Sequence, residues 1–122
     1  MECKFEIQGL KFWGSSKDRE KREGIRKIAC EKGVEKLANC KEFEIHIFAW
    51  VSKKRKIGDT DNLFKLVLDA FCKKQIEDDK SKSVTAGLYQ DDTVRFIKHV
   101  SADIKDAEED EEKTQIKIVG KA

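Results

Sequence analysis

Residues 43–51 read FEIHIFAWV, and they alternate strictly: Phe43, Ile45, Ile47, Ala49 and Val51 on one face, Glu44, His46, Phe48 and Trp50 on the other. Successive strand side chains point to opposite faces, so the pattern specifies a strand, with both faces at least partly covered. Upstream, residues 3–8 alternate over a shorter run and stop at Gly9, a second strand. Between the two, residues 15–39 open on serine, a natural N-cap, and carry Ile25, Ile28 and Ala29 at helical spacing. Val34, Leu37 and Ala38 continue that pattern past Gly33, which weakens or kinks the helix.

Downstream of the central strand comes a basic stretch, SKKRKIG (52–58), and then DTDNLFKLVLDAF, a helix from about Thr60 to Gln75. The polar run EDDKSKSVTAGLYQDD (77–92) reads as a loop with a short element inside it. VRFIKHVSADI (94–104) is a long strand, KDAEEDEEK (105–113) an acidic hairpin tip, and TQIKIVG (114–120) a final strand. The resulting order, β-α-β-α-β-β, predicts an α+β fold (mixed α/β), a mixed sheet with two helices packed on it.

At 122 residues the chain fits one domain, residues 1–122, and 39% apolar against 41% charged residues means a core under a very polar surface. The charges nearly cancel at +2, so local clustering matters more than the total. Four scattered cysteines, Cys3, Cys30, Cys40 and Cys72, lack metal-site spacing, which argues for buried thiols and against zinc. No apolar run is long enough for a signal peptide or a membrane span, so a cytoplasmic protein is expected. His46 and His99 sit among apolar neighbours and read as structural.

On a helical wheel, Leu63, Phe64, Leu66, Val67, Leu68, Ala70 and Phe71 fill an arc far wider than the stripe of a surface helix. Asp61, Lys65 and Asp69, spaced i, i+4, i+8, form the polar ridge that remains. One reading is a well-capped helix, with Asp59 or Thr60 as N-cap and the ridge as an ion-pair ladder. The other is a metal site at a helix start. Lys53, Lys54, Arg55 and Lys56 end shortly before Asp59, and a second acidic pair, Asp91–Asp92, precedes a strand. Alone, that pair is turn chemistry. Together, carboxylates suit Mg²⁺ and cations suit a phosphate backbone.

DTDNLFKLVLDAF followed by LYQDDTVRFIKHV resembles the RusA-type Holliday-junction resolvases, whose pattern is roughly D-x-D-N-x-x-K-x-x-x-D-A and then D-D before a strand. The likeness covers residues 43–100 and, more loosely, the whole chain. It implies a RusA-like dimeric fold and a Mg²⁺-dependent endodeoxyribonuclease that nicks branched DNA, such as a four-way junction. By that resemblance Asp59, Asp61 and Asp92 are catalytic and metal-binding, and Lys65 is the catalytic lysine. Asn62, Asp69 and Asp91 are supporting residues, Asn62 fixing the helix start and Asp69 holding Lys65. Lys53, Lys54, Arg55, Lys56 and Lys11 are expected to contact DNA. The segment GLKFWGSSKD (9–18) departs from the family in lacking its Pro and Asn. The competing reading is a non-catalytic DNA-binding module on the same fold.

Overall fold

The computed structural model describes residues 1–8, 18–52, 60–81, 87–91 and 93–122, with residues 60–63 described by their backbone alone. Strands are β1 (Glu2–Gln8), β2 (Glu42–Ser52), β3 (Ile97–Ala107) and β4 (Lys113–Lys121). Helices are α1 (Asp18–Glu31), α2 (Thr60–Ala70) and α3 (Lys73–Asp79). The fold is α+β: a four-stranded mixed sheet in the order β1-β4-β2-β3, with β2 parallel to β3 and antiparallel to β4. No helix among the described residues is long and apolar enough to cross a membrane.

β2 is the axis of the sheet, as its alternation requires. Phe43, Ile45, Ile47, Ala49 and Val51 are buried, and with Phe5, Ile7, Ile116 and Ile118 they face the helices in one core. Glu44, His46, Phe48 and Trp50, on the other face, are all half-buried. Lys113 Nζ lies 4.9 Å from the centre of the Trp50 ring, and His46 stacks on His99 at 4.9 Å, with Nδ1 3.1 Å from Ser101 Oγ. All four cysteines are free, Cys3 and Cys72 buried and the other two half-buried.

Three expectations are corrected. First, β3 and β4 do not form a hairpin. β4 inserts between β1 and β2, so the acidic segment is a connection that passes the end of β2. Its last carboxylate, Glu112, is buried and accepts the backbone N–H of Ser52 at 3.0 Å, which satisfies a donor at the end of β2. Second, the second helix stops at Ala70. Cys72 is extended (φ −80°, ψ 124°) and bridges to Tyr89. Leu88 N donates to Phe71 O at 2.8 Å and Lys73 N to Tyr89 O at 2.9 Å, so the pairing replaces helical bonds. The chain then resumes as α3, making three helices rather than two. Third, Gly33 (φ 82°) ends α1, and Val34–Leu37 form a short 3-10 turn, because a left-handed residue cannot continue a helix.

A buried ion network locks α3 onto α1. Asp79 is 4% exposed, and its two oxygens accept Arg22 Nε and Nη2, both at 2.7 Å. Arg26, fully buried, donates Nη2 to Asp79 at 2.9 Å and Nε to the carbonyl of Ala70 at 2.6 Å. The second bond closes an orphan carbonyl at the C-terminus of α2 with a cation, which also suits the helix dipole. Burial raises the Asp79 pKa, but hydrogen bonds from Arg22, Gln75 and Arg26 outweigh that and hold the carboxyl at about 2.

Candidate functional site

The sequence ridge maps onto α2 in part. Thr60 starts the helix, so Asp61 and Asn62 stand in its first turn, where a carboxylate is favoured by the dipole. Lys65, one turn on, is exposed and forms no ion pair among the described residues. Leu66, Val67, Ala70 and Phe71 are buried, while Phe64 and Leu68 are half-buried. The wide apolar arc is therefore filled in its centre and open at its flanks. Asp69 is half-buried, and the partner the structure shows for it is Arg22 rather than Lys65. Hydrogen bonds from Asp79 chiefly keep that guanidinium charged, with the charges of Asp69 and Asp18 adding.

Asp91 takes up the turn chemistry its position allows. Its Oδ1 accepts the Thr93 N–H at 3.1 Å, and hydrogen bonds from Thr93 hold the carboxyl below its ordinary value, with Arg95 and Lys74 adding through charge. The chain before it is pinned to the end of α2: Tyr89 pairs with Cys72, and its hydroxyl donates to Leu68 O. Phe96, just after it, accepts Phe43 N at 2.8 Å, at the start of β2. Asp91 thus lies by the C-terminal end of α2, whereas Asp61 lies in its first turn. Eleven residues separate helix start from helix end, about 16 Å at 1.5 Å per residue. The described backbone of one chain does not bring the two acidic sites together. Asp59, Asp92, Lys11, Lys53, Lys54, Arg55 and Lys56 lie outside the described residues, as do the side chains of Asp61 and Asn62. Among the described residues, no group of three or more His, Cys, Asp or Glu side chains is arranged to hold a metal.

A basic groove beside Asp91 escaped the sequence reading. A cleft of about 470 Å³ is lined by Lys41, Lys73 and Arg95, with Glu42, Tyr89 and Phe96 among its walls. The three cations come from the turn before β2, the first turn of α3 and the turn before β3. None forms an ion pair among the described residues. Since 54 positions of chain lie between Lys41 and Arg95, no local motif could have announced the cluster. It is a product of the parallel β2–β3 pairing, which gathers the starts of both strands at one end of the sheet.

No protein-family model matches this chain, and no curated protein matches it either. The functional argument rests on residues and geometry.

Proposed function

We propose that this protein is a Mg²⁺-dependent endodeoxyribonuclease acting on branched DNA, of the kind the RusA-type resolvases represent. The motif of Asp59, Asp61, Asn62 and Lys65, followed by Asp91 and Asp92, suggests it. The observation that carries it into three dimensions is the groove of unpaired cations beside Asp91, because unpaired cations next to carboxylates suit a phosphodiester rather than a neutral ligand. The donor set is carboxylate alone, which fits a hard cation such as Mg²⁺ and not a thiolate-seeking metal. Bound by Asp59, Asp61 and Asp92, Mg²⁺ would supply a Lewis acid and an activated water. Lys65 would neutralise charge developing on the phosphate, for which its exposure and lack of a carboxylate partner suit it. Lys41, Lys73 and Arg95, with the basic residues 53–56 and Lys11, would hold the DNA backbone.

The test is nicking of a labelled four-way junction with and without Mg²⁺. Wild type should nick only with Mg²⁺, and Asp61→Asn should fold and bind the junction yet lose nicking by at least about 100-fold. Wild-type nicking by that variant would remove the assignment. Salt-sensitive binding without cleavage of four-way, flap or duplex DNA would favour a non-catalytic DNA-binding module instead.

A further inference from the structure

We infer that a second copy of this chain seats antiparallel on the free edge of β3, and that this pairing brings the Asp91 turn of each copy to the Asp61 end of α2 in the other. The meaning for catalysis rests on the nuclease reading above. The pairing itself does not.

Three observations converge. β3 is an edge strand of 11 residues, and among the described residues nothing pairs with its outer side. A row of unpaired backbone donors and acceptors is a template for another strand. On the helix-bearing face of that edge, Val100 and Ala102 are half-buried and Ile104 is 45% exposed. The neighbouring helix α2, which packs on β3, leaves Phe64 and Leu68 half-buried. Apolar side chains along one open seam are what a covering subunit removes from water.

The strand is also complementary to itself. A twofold axis through the sheet keeps the helices of both copies on one face, so paired residues must have the same parity. Centring the axis on Ala102, the middle of β3, pairs the whole strand. On the helix side, Val100 then faces Ile104 of the second copy, Ala102 faces Ala102, and Lys98 faces Asp106. Opposed apolar pairs and opposed charges are the stabilising cross-strand combinations. A heterologous partner would have to reproduce that pattern; a second copy has it already.

The consequence for the acidic ends follows from direction. β3 starts beside the Asp91 turn and ends at Ala107, in register with Ser52, where the chain leaves β2 on its way to Asp61. Antiparallel pairing lays the start of one β3 beside the end of the other. The 16 Å of α2 that separates the acidic sites within one chain is thereby bypassed between chains.

The experiment has two independent readouts. Sedimentation should give a dimer of the 14.1 kDa chain, and Ile104→Lys with Val100→Lys should give monomers with unchanged circular dichroism. Oxidised Ala102→Cys should cross-link to dimers, while the wild type, with its four native cysteines, and an off-axis Lys98→Cys should not. A monomeric wild type, or no cross-link at Ala102, overturns the pairing. For the shared site, Asp61→Asn is mixed with Asp91→Asn/Asp92→Asn, each inactive alone. Random exchange makes half the dimers mixed, each with one intact site of two, so about a quarter of wild-type nicking should return. No return, with a nicking wild type, overturns the shared site and leaves the nuclease reading standing. A wild type that dimerises but never nicks sinks the nuclease reading and leaves the pairing.

Discussion

The two ends of α2 use charge in opposite ways. At the C-terminal end, Arg26 and Asp79 are buried, fully partnered and tied to the Ala70 carbonyl. One turn from the N-terminal end, Lys65 stands exposed and without an ion pair among the described residues. A charge taken out of water must be satisfied, so the first set is committed to holding helices together. A charge left in water keeps its capacity for a ligand. The difference separates residues whose loss should unfold the protein from residues whose loss should disarm it.

The largest effect should come from the committed end. Arg26→Ala removes hydrogen bonds to Asp79, Glu23 and Ala70 and leaves a buried carboxylate with fewer partners. Breaking a buried pair in this way costs about 3–5 kcal/mol, to be read from urea denaturation. A loss under about 1 kcal/mol would mean the network is not what fastens α1 to the end of α2.

Next comes pH. The Asp79 carboxyl sits at about 2 against a model value of 3.8. A group with a depressed native pKa contributes stability above its unfolded value and loses it as pH falls through the native one. Stability should therefore drop by on the order of 2 kcal/mol between pH 4 and pH 2, a step that Asp79→Asn should abolish. Persistence of the step in that variant would assign it to other carboxylates.

The contrast also marks what the sequence could reveal. Alternation in residues 43–51 identified the central strand and its buried face, because a strand buried on one side writes its register into every second residue. The break between α2 and α3 was invisible: no Gly or Pro marks it, and its cause is pairing of Cys72 with Tyr89, a distant residue. The insertion of β4 beside β2 was equally hidden, since neighbouring strands joined by a short acidic turn read as a hairpin unless a third strand lies between them. At the site, the spacing of Asp61, Lys65 and Asp69 gave a helical ridge. It could not tell that Asp69 faces Arg22, nor that Lys41, Lys73 and Arg95 share a groove.

That groove supplies a smaller effect on the disarming side. If Lys41, Lys73 and Arg95 each neutralise one phosphate, each Ala substitution should reduce the slope of log affinity against log salt by about 0.9 on duplex arms. The loss should be alike for all DNA sequences, because phosphate contacts carry no base information. Fluorescence anisotropy on a junction without Mg²⁺ measures it apart from cleavage. An unchanged slope in the triple variant would remove these residues from the DNA path.

The smallest expected effect on folding is the sharpest test of the comparison. Lys65→Ala deletes an exposed side chain that supports no described contact, so the denaturation midpoint should stay within about 0.5 kcal/mol of wild type. Nicking under single-turnover conditions should nevertheless fall by about 100-fold or more, with junction affinity little changed, if the ammonium acts on charge that develops only in the transition state. Matched losses of stability and nicking would put Lys65 with Arg26, among the residues that hold the fold. Lost nicking at full stability would put the two ends of α2 on opposite sides of that divide.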